Sequence, residues 1–568
     1  PRTWGTSWLI TGLNCTGASF RNSRMNSSRR STVSKGWTIG VGLIAAFVAL
    51  PLAAIIWLAT APTAGIWAHL ASTVLPDYVG NTLLLGLGVS LGVLLIGVPT
   101  AWMVSVYEFP GRRLLDWALF LPLAVPTYLI AFVYTDFLDY AGPVQGALRQ
   151  FFGWQSARDY AFPDVRSMPG GIVVFTLCLY PYVYWLARAA FLSRGARQLE
   201  AARLMGEGPL GAFWRVGLPL ARPALAAGVL IVWMETVNDI GAVEHFGIQT
   251  LTVGLFDVWL HLGNPGAAAQ IALILLVLVV LVNLGEYWAR GGRQYFTSGD
   301  NGPKERRMLS APAGLACAIL LPIPLILGFC IPAGRLAYYA AGRLQTDSLT
   351  LFWQLAGNSI LLAASASLIC VALAIALAYG ARLSPRPAVR AGIRLATLGY
   401  GIPGAVLALG VMYLITSADL KIADLMDMLS IKPYAFFGGT IAALVIALSI
   451  RFLALGYGTI DSGLQRITTN LDDAARILGA SRASLVFRVH VPLMRASVLT
   501  AAALVFVDTL KELPMTLLLR PFNYETLASH VYQLASDEQL EASSVSALMI
   551  ILVGIVPAVA LSRLSGRS

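Results

Sequence analysis

Charge is scarce in this chain. Asp, Glu, Lys and Arg make up 12% of its 568 residues while apolar side chains make up 57%, whereas a soluble domain carries about 25% charged residues. With a mean hydropathy of +0.71, there is too little polar surface to clothe a core of this size in water. That excludes a large soluble enzyme and leaves a multi-span membrane protein. Cysteine and histidine are scarce too, at five each. Cys15, Cys178, Cys317, Cys330 and Cys370 show no CxxC spacing, so they indicate neither a disulfide framework nor a metal cluster. His69, His245, His261, His490 and His530 contain no pair at ligand spacing; solvated or interfacial imidazoles are expected, and no metal site. A GxxxxGK[ST] loop is missing as well, so nucleotide chemistry is not expected within the chain.

What the chain has is long apolar runs. Candidate spans fall at about 37–59, 80–105, 114–136, 170–190, 223–243 and 267–288, then at about 310–331, 357–380, 392–415, 435–456, 494–514 and 543–562. The fold expected is therefore all-α and polytopic, with about twelve transmembrane helices in two six-helix halves. The net charge of +11 would suggest nucleic acid in a soluble protein. Here the basic residues alternate between loops: Arg112 and Arg113, Arg188 to Arg215, Arg290 to Arg307, Arg382 to Arg394 and Arg466 to Arg488 fall on one side. The loops Glu244 to Pro265 and Glu525 to Glu541 have no Lys or Arg. This positive-inside pattern places both termini in the cytoplasm, names the lipid bilayer as partner and sets nucleic acid aside. The expected division is a polar tail at 1–36, a first half at 37–289, a cytoplasmic linker at 290–308 and a second half at 309–568. Residues 1–24 read as an upstream extension before Met25.

The halves are related by an internal repeat. EAARLMGEGPLGAFWRVGLP from Glu200 to Pro219 returns as DAARILGASRASLVFRVHVP from Asp473 to Pro492, an offset of 273 (473 − 200). Gly80-Asn81-Thr82 returns as Gly357-Asn358-Ser359, and Pro126 as Pro403, at an offset of 277 (357 − 80). Each polar segment reads as helix, turn, helix, with Gly206 or Gly479 breaking the first helix. One such segment could be a plain interfacial helix; two at matching places favour docking on a two-fold partner.

The first segment resembles the EAA motif of bacterial ABC importer permeases: Glu200, Ala201, Ala202, Gly206, Phe213, Val216, Leu218 and Pro219 fill its slots. The second keeps an acid at Asp473, together with Ala474, Ala475, Gly479 and Pro492, but has Val486 for Phe and Val491 for Leu. The resemblance implies that Glu200, Ala201, Ala202, Gly206, Asp473, Ala474, Ala475 and Gly479 contact two ATPase subunits on the cytoplasmic side. ATP and magnesium would be handled by those partners, with no cofactor in this chain. The words METVNDIGAVEHFGIQTLTVGLFDVW and KELPMTLLLRPFNYETLA resemble the iron(III) branch with two fused halves. That branch implies a bacterial inner-membrane permease of the type I importer fold, supplied by a periplasmic binding protein. Permeases for thiamine, polyamine, sulfate or molybdate stay open, and so does an ion-coupled secondary transporter.

Five ionisable residues lie within the fifth and eleventh spans: Glu235 and Asp239, then Asp508, Lys511 and Glu512. The offset of 273 pairs Glu235 with Asp508 and Asp239 with Glu512 (512 − 239). Charges at that depth are costly and mark a pathway for a cation, or else a structural pair made by Lys511 across the halves. Tyr180, Tyr182 and Tyr184 could be imagined as ferric ligands, but aromatic residues near a span's end are expected to be interface anchors.

Overall fold

In a bilayer no water satisfies the backbone, so runs as apolar as these must close their own hydrogen bonds as helices. The computed structural model describes residues 20–63, 65–193, 202, 205–289, 306–343, 350–384, 386–432, 436–481 and 484–566. Among the described residues nine helices are long and apolar enough to cross a membrane, or eleven if each of two bent pairs counts as one span.

The first half contributes α1 (Phe20–Leu58), α2 (Leu75–Val106), α3 (Thr127–Leu138), α4 (Met168–Ser193), α5 (Leu218–Asn238) and α6 (Pro265–Ala289). The second contributes α7 (Ala311–Arg343), α8 (Thr350–Leu383), α9 (Gly404–Met428), α10 (Ala442–Gln465), α11 (Arg495–Leu510) and α12 (Leu540–Gly566). At 27 residues α12 is about 40 Å long and occupies the twelfth expected place. Helix α1 begins at Phe20, inside the stretch read as polar tail. Residues 1–19 and 290–305 lie outside the described residues, and with them most of the expected tail and linker.

Four expected spans are interrupted, and the interruptions match between halves. The third, expected as continuous over about 114–136, is a short helix Arg112–Ala118 and a tight turn Leu121–Ala124, bent 91° from the helical stretch that starts at Thr127. The ninth, expected over about 392–415, is a helix Pro387–Ala396 followed by α9, which runs on to Met428. Pro126 and Pro403 sit at these breaks, and the residue before each, Val125 or Ile402, is extended. Proline disfavours helical backbone in the residue preceding it. The fifth and eleventh, expected to reach about 243 and 514, stop at Asn238 and Leu510 and give way to short helices Gly241–His245 and Pro514–Leu519. Pro514 has no N–H to continue the ladder of α11.

In the first half α2, α4 and α5 pack together, and in the second α8, α10 and α11 do so. The opening helix of each half leans on the other half: α1 packs against α8, α9 and helix Pro387–Ala396, while α7 packs against α3 and α4. A two-residue parallel pairing of β1 (Tyr107–Glu108) with β2 (Arg307–Met308) ties the start of the second half to the end of α2.

The Gly-Asn-Thr and Gly-Asn-Ser markers now have a physical reason. Asn81 donates to the Gln249 carbonyl and Asn358 to that of Glu525, each at 3.0 Å. Thr82 Oγ1 accepts from Leu251 N at 2.9 Å, and Ser359 Oγ from Leu527 N at 2.8 Å. In each half a hydroxyl on the second span satisfies the first backbone donor of a short helix that follows the broken span.

Candidate functional site

Where both are described, the two motif segments share one turn. The N–H of Glu207 donates to the Ala202 carbonyl, and that of Ala480 to the Ala475 carbonyl, both at 3.0 Å. Between them Gly206 has φ +89 and Gly479 has φ +82. A bond spanning five residues around a left-handed glycine is the Schellman helix stop, and glycine adopts that conformation without a Cβ penalty. Six-residue π turns follow at Ala212–Gly217 and Leu485–His490, again 273 apart (485 − 212). Ala202 is buried; Asp473, Ala474 and Gly479 are exposed and Ala475 is half-buried. Glu200 and Ala201 lie outside the described residues. The residue before each glycine is apolar and bare, Met205 at 79% exposure and Leu478 at 87%.

Beneath the second segment lies a polar cluster that the sequence did not reveal. Asp472, one residue before the motif acid, is buried and accepts from Arg382 Nε and Nη2 at 2.9 Å each. His490 Nε2 lies 2.8 Å from the same carboxylate, and its Nδ1 meets the Tyr379 hydroxyl. Burial opposes charge on Asp472, yet the Arg382 guanidinium and the His490 ring hold its carboxyl below the usual carboxylate range. His490 was expected to be solvated or interfacial and is instead fully buried. A lone histidine in a polar loop carries no spacing signal for a partner 18 residues away.

All five ionisable residues expected in the membrane line one cavity of about 100 Å3. Glu235, Asp239, Asp508, Lys511 and Glu512 share it with Asn238, Arg451, Tyr128, Tyr182 and Tyr400. Its walls obey the repeat: Cys178 and Leu179 of α4 correspond to Arg451 and Phe452 of α10 (451 − 178 = 273), and Asn238 to Lys511 (511 − 238 = 273). The cavity therefore sits on the pseudo-two-fold axis. Cys178 is eleventh of the 26 residues of α4, about 15 Å from one end and 22 Å from the other, so the cavity lies near mid-depth.

The acids divide into two kinds. Asp239 Oδ1 accepts from Ala242 N at 2.7 Å, and Glu512 Oε1 accepts from Met515 N at 3.0 Å. Each caps the short helix that begins where its span breaks. Thr127 adds a hydroxyl bond to Asp239, and Thr516 N donates to Glu512 at 3.2 Å. The other two are freer: Glu235 accepts from the Tyr400 hydroxyl at 3.3 Å, and Asp508 pairs with Lys511 at 2.9 Å. Asp508 and Lys511 are three residues apart, at the last turn of α11 and the position that follows it. Asn238 adds a further bond between the halves beside that of Tyr400 to Glu235: its Oδ1 accepts from Arg451 Nη1 at 2.8 Å and from the Gly404 N–H. Arg451 and Asn238 escaped the sequence reading because neither shares an offset partner of like charge.

Tyr180 and Tyr184 are fully buried, and Tyr182 lines the cavity, so none of the three is an interface anchor. Away from the motif side, Arg166 pairs with Glu538 at 2.9 Å, Glu244 accepts from the Tyr532 hydroxyl, and Arg335 reaches Asp136 at 3.0 Å. Each of these bonds joins the halves, and Asp136 lies about 14 Å along α3 from the cavity residue Thr127. Among the described residues no group of three or more His, Cys, Asp or Glu could hold a metal ion.

The family model for the inner membrane component of binding-protein-dependent transport systems matches this chain twice, over residues 93–289 and 369–568. The chain belongs to that family. It is an ABC permease carrying both halves in one polypeptide. The permease is 25% identical over 494 residues to the Fe(3+)-transport system permease protein FbpB 2 of Haemophilus influenzae, covering 86% of this chain and 90% of that one. It is 31% identical over 202 residues to a putative 2-aminoethylphosphonate transport permease, PhnU, of Salmonella paratyphi A, covering 35% and 68%. It is also 25% identical over 232 residues to the molybdenum transport permease ModB of Escherichia coli, covering 39% and 98%. Membership of an ABC family replaces the ion-coupled secondary transporter as a reading.

Proposed function

We propose that the permease imports ferric iron handed over by a periplasmic binding protein, driven by two ATPase subunits on its cytoplasmic face. The observation that carries the cargo class is the cavity. Its four carboxylates, Glu235, Asp239, Asp508 and Glu512, face two bases, Lys511 and Arg451, a formal excess of two negative charges (4 − 2). A hard cation suits such a lining; sulfate or molybdate would meet repulsion on entry. The similarity to the Fe(3+) permease spans both halves, which supports iron among the cations. Thiamine and polyamine are cations that the same lining would also admit. The two bases favour one competing reading, an oxyanion held between Arg451 and Lys511.

The motif segments support the drive. Each presents an exposed apolar residue, Met205 or Leu478, at a stiff Schellman turn. Small neighbours let a partner's groove approach closely. ATP and magnesium bind on the partner chains, and closure of the ATPase pair rocks the halves about the cavity. Both termini and both motif segments face the cytoplasm in this reading, while the seam at Arg166–Glu538 closes the periplasmic side.

The test is uptake by the reconstituted complex carrying Glu235→Gln and Asp508→Asn together. Iron transport is expected to slow at least about tenfold, the effect of losing roughly 1.4 kcal/mol of attraction for the moving ion, with assembly intact. Unchanged kinetics would remove these carboxylates from the path. Faster uptake of molybdate than of iron by the unaltered protein would favour the oxyanion reading.

A further inference from the structure

The motif segments share the glycine turn and the π turn that follows it, but the structure makes them unequal underneath. Below the first, the Trp102 ring packs edge-on against Phe191 and Phe213, with centroids 5.1 Å apart in both contacts. Gly217 leaves room for that ring, since a Cβ there would lie 2.5 Å from it. In the second half the same two places hold Tyr379 (379 − 102 = 277) and His490 (490 − 217 = 273). A smaller ring and an added imidazole turn an apolar contact into a hydrogen-bonded chain that ends on Asp472. The place of Arg382 is taken in the first half by Ser105 (382 − 105 = 277), a buried hydroxyl without a hydrogen-bond partner.

Arg382 does more than pair with Asp472. Its Nη1 donates to the Leu464 carbonyl at 2.8 Å and its Nη2 to that of Ile467 at 3.0 Å. One side chain at the end of α8 thus grips the Leu464 carbonyl in the last turn of α10, the Ile467 carbonyl just beyond it and, through Asp472, the motif helix Thr469–Ile477. Helix α10 runs from there to the cavity: Arg451 lies 13 residues before Leu464 (464 − 451), about 20 Å along the axis. Arg451 then donates to Asn238 of the first half. The second motif segment is therefore linked to the cavity by consecutive contacts, each between named atoms.

We infer that Arg382, Asp472 and His490 are positioning residues that lock the second motif helix to α8 and α10, so that its displacement moves those helices instead of being absorbed in the loop. The inference rests on the coupling reading given above. It makes the second half the stiffer arm, although its motif is the more relaxed in sequence. Removing either charge deprives the other of its ion-pair partner in a place with little water, so the weaker partner, His490, supplies the second pair of variants.

The experiment is iron moved per ATP hydrolysed, measured on the full complex in vesicles for Arg382→Gln, Asp472→Asn, His490→Gln and His490→Ala, with Asp461→Asn as control, a carboxylate of α10 that accepts from Gln465 of the same helix at 2.7 Å. A purely structural role lowers the amount of complex without changing this ratio in what assembles. Expected are ATP hydrolysis near the unaltered rate and a roughly fivefold lower ratio for Arg382→Gln, Asp472→Asn and His490→Ala. His490→Gln, which keeps a donor toward Asp472, and Asp461→Asn should retain the ratio. A ratio unchanged in Arg382→Gln and His490→Ala overturns the lock while leaving coupling standing. Failure of the unaltered permease to retain any ATPase subunit overturns coupling itself, and the lock with it.

Discussion

Replacing Gly206 and Gly479 by valine should uncouple this permease without unfolding it. Both glycines hold positive φ, +89 and +82, and nothing lies within 4 Å of the Cβ that a substitution would add. The penalty is therefore confined to the backbone. A side-chain-bearing residue in the left-handed region costs about 1–2 kcal/mol, enough to lower the population of a turn by a factor of about 5–30. The released turn loses its 3.0 Å bond, Glu207 to Ala202 or Ala480 to Ala475, and Met205 or Leu478 leaves its place. The assay is iron uptake beside ATP hydrolysis in vesicles, with thermal unfolding of the purified protein as the control. Uptake should fall while the unfolding temperature stays within a few degrees. Asparagine tolerates positive φ better than valine, so Gly479→Asn should keep more activity than Gly479→Val. Full transport in the double valine variant would refute the turn's role. Equal loss with asparagine would place the effect in contact volume instead of backbone conformation.

Other perturbations test separate links. Thr82→Val and Ser359→Ala each leave a buried N–H, of Leu251 or Leu527, without its acceptor, so each should cost about 1–3 kcal/mol of stability. The two sites lie in different halves and their effects should add in unfolding experiments; a neutral result would show that these hydroxyls do not anchor the short helices. The Asp472 carboxyl is held below its ordinary range in the folded protein, so its contribution is full above about pH 4 and is lost as pH falls through the folded value. Asp472→Asn should therefore flatten the acid limb of the unfolding curve, and an unchanged limb would contradict the ion pair. Cutting the link between halves with Asn238→Ala should lower the ATP concentration needed for half-maximal uptake or raise basal hydrolysis. No change in either would remove Asn238 from the moving contact.

Much of the architecture was legible because it is written twice. The 273 and 277 offsets locate the motif segments, the prolines at Pro126 and Pro403 and the acids of the broken spans from the sequence alone. Burial and backbone explain them: Pro126 and Pro403 stand at the breaks and open α3 and α9, while Asp239 and Glu512 cap short helices. The breaks are not legible because hydropathy averages over about twenty residues and does not register an interruption of a few apolar residues. The cavity's acids could be found because charge within an apolar run is conspicuous. Arg451 is as conspicuous in its apolar span, but its place in the first half is held by Cys178 (451 − 178 = 273), so the repeat did not single it out, and its partner Asn238 carries no charge. The cluster at Asp472 and His490 was illegible for a different reason: nothing in a single sequence says that a loop histidine will be turned inward onto a tyrosine 111 residues earlier.

In the proposed function this permease couples a partner's ATP hydrolysis to passage of a cation through the cavity between its halves. The direct measurement is ATP hydrolysis by the reconstituted complex as binding protein is added, empty or loaded with ferric iron, molybdate or sulfate. The account predicts strong stimulation by the iron-loaded protein alone, with iron appearing inside the vesicles and both effects reduced by Glu235→Gln with Asp508→Asn. Stimulation by an oxyanion-loaded protein and indifference to iron would contradict it.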